Sequence, residues 1–203
     1  MPYDFKNASI LIVEDMPPIV ELLRQILHTF GFAEVFIAKD TEHAFDIICQ
    51  HEPDLILTDW VLPGGNGLEL TKKIRTDSQS PTPFVPIIMI TGFCSKKHVE
   101  LARDAGVNEF LTKPFTSQDL YSRISQVIEN PRDFVKTRHF FGPDRRRHMS
   151  INYNGDKKRD QDDSDDVFEI DFADDATDFY GGSEPQDILS RLRQETKDLL
   201  PES

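Results

Sequence analysis

Five residues carry reactive side chains at the same kind of place, the end of a short apolar run. Glu14 and Asp15 follow "ILIV", Asp59 follows "LILT", Thr91 follows "IIMI", and Lys113 follows "FLT". Taken singly, each has an ordinary explanation: caps of a first helix for Glu14 and Asp15, turn residues for Asp59 and Thr91, a surface charge for Lys113. Brought to one edge, they form a chemical set. Three clustered carboxylates repel one another unless a divalent cation shares them, and hard oxygen ligands with open water positions suit Mg²⁺. Asp59 can then act as a nucleophile toward a phosphoryl group. The metal and Lys113 would neutralise charge on the phosphoryl oxygens, and Thr91 would donate a hydrogen bond to one of them.

Whether they meet depends on the elements around them. Through residue 130, short apolar runs at Ile10–Val13, Val35–Ala38, Leu55–Thr58, Ile87–Ile90 and Glu109–Leu111 alternate with stretches of helical spacing. Ile19, Leu22, Leu23, Ile26, Leu27 and Phe30 make one helix face, closed by Gly31. Thr41 is placed to cap a second helix carrying Ala44, Phe45, Ile47 and Ile48, with Cys49 on its apolar face. Leu68, Leu70 and Ile74 mark a third. Val99, Leu101, Ala102 and Ala105 mark a fourth, ended by Gly106, and Thr116 caps a fifth that stops before Pro131. Strands alternating with helices imply βαβ units and a parallel sheet covered on both faces. In such sheets ligands bind beyond the carboxyl ends of the strands, the edge where the five reactive residues fall.

The motifs "LIVED", "DLILTDW" with "LPGGNGLEL", "IIMITG" and "FLTKPF" together resemble the receiver domain of bacterial two-component response regulators, over about residues 7–130. The resemblance implies an α/β, flavodoxin-like (βα)5 doubly wound sheet of order 2-1-3-4-5, an order for which a member of this family is a standard illustration. It implies that Asp59 accepts a phosphoryl group from a phosphohistidine of a sensor histidine kinase or phosphotransfer protein. By the same resemblance Asp15, Asp59 and the backbone carbonyl of Val61 bind Mg²⁺, with Glu14 acting through water. Lys113 would be aimed inward by a cis Lys113–Pro114 bond. Thr91 and Phe110 map onto the family's switch pair, which biases a protein-binding surface around the fourth helix, fifth strand and fifth helix. A phosphorylation-dependent dimer is one assembly compatible with that reading, and the protein is expected to act as a switch rather than an enzyme. Val61 and Phe93, two residues past Asp59 and Thr91, are apolar where the family is often polar. A haloacid-dehalogenase-like phosphatase is set aside, since that family needs a second Asp where Val61 stands.

Beyond residue 130 the character changes. Of a net charge of −13 in 203 residues, residues 1–130 carry −7, residues 131–159 carry +6 and residues 160–203 carry −12. The basic linker, 131–159, holds an imperfect repeat, "FFGPDRRRH" and "YNGDKKRD". Residues 160–182 read as an acidic disordered segment, and 183–203 as a short amphipathic helix. No helix-turn-helix, Walker loop or cyclase-like motif follows the receiver, so a single-domain regulator is expected. Four uses of the basic repeats stay open. They are docking onto the acidic receiver or acidic run, binding a partner such as nucleic acid or anionic lipid, capture of cyclic di-GMP by Arg145, Arg146 and Arg147, and plain solubilisation. Nucleic acid is disfavoured because the adjacent −12 segment competes. With two cysteines, no CxxC pair, no apolar leader and no run approaching a membrane span, the chain is expected to be cytoplasmic, without a disulfide framework or structural zinc. The cognate kinase and downstream target are not encoded in a readable form.

Overall fold

In the computed structural model, the described residues are 3–92, 95–137 and 140–144. Expectations that rest on Phe93, on Arg145, Arg146 and Arg147, and on the acidic and C-terminal segments fall outside them. Strands β1 (Ser9–Val13), β2 (Glu34–Ala38), β3 (Leu55–Asp59), β6 (Ile87–Thr91) and β7 (Glu109–Thr112) form one parallel sheet, ordered β2-β1-β3-β6-β7. Between β3 and β6 lie the two-residue strands β4 (Val61–Leu62) and β5 (Gly65–Asn66), which pair antiparallel. The helices among the described residues are α1 (Pro17–Phe30), α2 (Thr41–His51), α3 (Gly67–Thr76), α4 (Lys96–Ala105) and α5 (Ser117–Glu129). With the small strands left aside, this is the flavodoxin-like order 2-1-3-4-5.

The period-two alternation of strand side chains builds two cores. Ile10, Ile12, Leu57, Ile88 and Ile90 face one side and pack against Leu23 and Leu27 of α1 and Leu120 and Ile124 of α5. Leu11, Val13, Ile56, Ile87 and Met89 face the other, against Phe45 and Ile48 of α2, Leu70 and Ile74 of α3, and Ala102 of α4. Both sheet faces are therefore dry, which explains why the strands read as continuous apolar runs.

Several local expectations are corrected. Asp40, rather than Thr41, caps α2, its carboxylate accepting from the His43 amide at 2.8 Å. Helix α1 starts at Pro17 with Met16 at the cap and no side-chain cap bond, so neither Glu14 nor Asp15 serves as one. Cys49 is exposed, on the outer side of α2, with its thiol toward the Gln79 carbonyl. Leu22 lies on the solvent shoulder of α1. On α4 only Ala102 and Ala105 are buried, while Val99 and Leu101 are each 42% exposed. Small residues bring that helix close to the sheet and leave its larger apolar ones outside.

Residue 130 is not where the ordered chain leaves the sheet's neighbourhood. Strands β8 (Phe134–Lys136) and β9 (Phe141–Pro143) form an antiparallel pair. Phe134 is buried, meets Phe84 edge-on at a ring-centroid distance of 5.1 Å and lies tilted against Phe141 at 5.8 Å. The aromatics Phe134 and Phe141, from an apparently aperiodic linker, thus extend the packing of the α/β body onto Phe84.

Candidate functional site

At the carboxyl edge of the sheet, Lys113 Nζ donates to Glu14 Oε2 at 2.6 Å and to Asp59 Oδ2 at 2.8 Å. The register explains the meeting. β1 lies beside β3, β3 beside β6 and β6 beside β7, so residues just past Val13, Thr58, Ile90 and Thr112 share one edge. Lys113 is drawn in by its own backbone, whose amide donates to the Thr91 carbonyl at 2.8 Å, and the following Lys113–Pro114 bond is cis, as the resemblance implies.

The carboxylates differ in setting. Glu14 is 2% exposed, and burial pushes its carboxyl above the usual range, with the Lys113 hydrogen bond and the Met16 amide opposing. For Lys113, burial pushes the ammonium down, but hydrogen bonds from it to Asp59 and Glu14 outweigh this and raise it above 10.5. A buried carboxylate is tolerated here because a cation reaches it directly. Asp59 keeps its second oxygen, Oδ1, on the Trp60 backbone amide at 2.5 Å. Asp15 sits one residue beyond Glu14 and is exposed.

The structure therefore brings Glu14, Asp59 and Lys113 into direct contact. Thr91 is buried beside them through the backbone, Asp15 lies at the rim, and Val61 is 56% exposed at the mouth. Phe110 is half-buried on β7 against the core that carries α4. Among the described residues no three acidic, histidine or cysteine side chains converge closely enough to ligate a metal. The donor set still fits Mg²⁺ by its chemistry: hard carboxylate oxygens on adjacent strand ends, one of them partly open to water. Lys113 occupies the space between Glu14 and Asp59 as the local positive charge.

Some functional neighbours carried no sequence signal. Gly67 is required by close approach: a Cβ there would stand 2.1 Å from the Asp59 carbonyl oxygen. Its amide donates to the Trp60 carbonyl at 2.9 Å, closing the loop after the acceptor strand. "GGNG" marked a turn without showing which glycine was indispensable. Trp60 packs edge-on to His98 of α4, centroids 5.0 Å apart and rings at 75°.

The profile of the response regulator receiver domain family matches residues 10–125. The phosphate regulon transcriptional regulatory protein PhoB of Pseudomonas aeruginosa is 36% identical over 122 residues, covering 60% of this chain and 52% of PhoB. This chain thus spans about half the length of that relative. Chemotaxis protein CheY-3 of Vibrio cholerae is 32% identical over 124 residues, 61% of this chain and 94% of CheY-3. Among solved structures, the chemotaxis response regulator CheY4 of Vibrio cholerae matches with a TM-score of 0.55 at 29% identity, covering 59% of this chain and 98% of that one. A CheY-like receiver domain protein from Methanospirillum hungatei gives a TM-score of 0.53 at 31% identity, covering 59% and 91%. The profile match ends before the hairpin and the charged segments. With the profile spanning more than half of the residues and the fold in agreement, the chain belongs to the response regulator receiver domain family.

Proposed function

We propose that this protein is a phosphorylation-dependent switch in which Asp59 accepts a phosphoryl group from a phosphohistidine of a sensor kinase or phosphotransfer protein. The observation that carries the reading is the Lys113 ammonium held between Asp59 and Glu14, at 2.8 and 2.6 Å. Receiver domains of this family bind Mg²⁺ at the phosphorylation site, and they are typically signalling switches rather than enzymes. Here Asp15, Asp59 and the Val61 carbonyl would hold the ion, with Glu14 through water. The ion would supply charge neutralisation on the incoming phosphoryl group.

The protein's own residues do the rest. An Asp59 carboxylate oxygen attacks phosphorus, the P–N bond of the phosphohistidine breaks, and the imidazole leaves with the electron pair, giving an acyl phosphate on Asp59. The Trp60 amide orients the carboxylate by holding Oδ1. Lys113 exchanges its bond to Asp59 for one to a phosphoryl oxygen, and the Thr91 hydroxyl donates to another. Phe110 would follow Thr91 and alter the surface formed with α4 and α5. The downstream target is a protein in this reading. No helix among the described residues is long and apolar enough to cross a membrane.

Labelling with acetyl [³²P]phosphate in the presence of Mg²⁺ tests this. The label should be lost with hydroxylamine, which cleaves acyl phosphates, and should fail to appear when the metal is chelated. Label that survives hydroxylamine, or that forms equally without metal, contradicts an aspartyl acceptor.

A further inference from the structure

The hairpin β8–β9 lies outside the region shared with the family, and it seats on the far end of α4. Arg75 of α3 is the anchor of that contact. It is fully buried, and its guanidinium donates to the Gly106 carbonyl at 3.0 and 3.2 Å, to Pro83 at 2.6 Å and to the Asn108 side chain at 3.0 Å. Gly106 is the C-cap of α4, so Arg75 holds the helix through the residue that ends it. The Phe134 ring lies over the guanidinium at 5.1 Å and seals it from water. On the other side Gly142 packs against Gly106 so closely that a Cβ on Gly142 would stand 2.9 Å from the Gly106 Cα. The backbones touch with no slack.

The opposite end of α4 begins near the acceptor. Its N-cap Ser95 follows Thr91 by four residues, and His98 in the first turn carries the Trp60 ring beside Asp59. Between these ends α4 is only lightly held, with Ala102 and Ala105 its buried residues. A helix that is rigid, lightly anchored and pinned at both ends moves as a unit when one end is displaced.

Resting on the reading of Asp59 as acceptor, we propose that the hairpin 134–143 is a clamp on α4 that favours the unphosphorylated state and is released when Asp59 is phosphorylated. The contact at Gly106 fits the position α4 holds while Lys113 bridges Asp59 and Glu14. A phosphoryl group draws Lys113 off, displaces Trp60 and His98, and the shift carries to Gly106, where the Gly142 fit fails. Release frees strands β8 and β9, which lie within the basic segment 131–159. By reciprocity, loosening the clamp strengthens binding of a phosphoryl group at the far end.

The test uses the full chain, with Mg²⁺ and beryllofluoride as a phosphoryl mimic. Trp60, the single tryptophan, and calorimetry report binding, and hydrogen exchange reports the hairpin. Gly142→Val, which opens the contact, should bind beryllofluoride at least about fivefold more tightly than wild type. Saturating wild type should remove exchange protection from 134–143, a readout that stands even if the variant folds poorly. Equal affinities with unchanged protection overturn the clamp and leave the acceptor reading intact, as does weaker binding by the variant with increased protection in wild type. Failure of both proteins to bind beryllofluoride by calorimetry overturns the acceptor reading and the clamp with it.

Discussion

At the scale of single residues, the account turns on how Lys113 is shared. Its folded pKa is raised, so the stability it contributes is complete below 10.5 and drains away as pH climbs through the folded value. Lys113→Met removes that group, and its thermal stability should fall less steeply above pH 10.5 than that of wild type; parallel curves would contradict the assignment. At the mouth of the site, Val61 is 56% exposed beside the acceptor. With Phe93 it is expected to hinder the water that attacks in line, lengthening the phosphorylated lifetime. The double variant Val61→Asn/Phe93→Glu should lose its phosphoryl group several-fold faster, on the order of 1 kcal/mol in barrier; unchanged or slower loss rejects the idea. The reactive residues were legible because, ordinary one by one, they recur together at the carboxyl ends of successive strands. Gly67 was not, because nothing in a run of turn glycines shows which one faces the Asp59 carbonyl at 2.1 Å from a would-be Cβ. Gly67→Ala should destabilise by about 1–3 kcal/mol in denaturant titration, through displacement of that carbonyl.

At the scale of elements, the βα alternation was readable because the central strands β1, β3 and β6 bury both faces and the helices bury one. The errors fell where helix ends and helix shoulders are decided by neighbours. Asp40 took the cap of α2 from Thr41 because its carboxylate reaches the His43 amide. Val99 and Leu101 were drawn into the α4 stripe by hydrophobicity, but Ala102 and Ala105 make the contact. Arg75 gave no signal at all. A cationic residue in a helix reads as solvent-facing, yet here its fork spans three oxygens and its charge is covered by Phe134. Burial pushes the guanidinium down to about 9, which still leaves it charged at neutral pH. Arg75→Lys keeps a charge but cannot satisfy the fork, so it should cost roughly 2–3 kcal/mol by denaturant titration. A loss below ~0.5 kcal/mol would show that the fork is dispensable.

At the scale of the whole molecule, the described residues form a receiver whose chemistry lies along one sheet edge, with a hairpin, β8–β9, packed at the far end of α4. The hairpin escaped the sequence reading because its strands are only three residues each and carry no alternation long enough to detect. Its packing comes from partners far along the chain, Phe84 and Arg75, which composition cannot pair with Phe134. The strongly charged segments beyond it keep the four uses their composition allows. All of this depends on Asp59 being the residue that is modified. Intact-mass measurement of wild type and Asp59→Asn after incubation with acetyl phosphate and Mg²⁺ tests that most directly. The account predicts a single phosphoryl adduct on wild type and none on the variant; an adduct of equal yield on Asp59→Asn, or none on wild type, would contradict it.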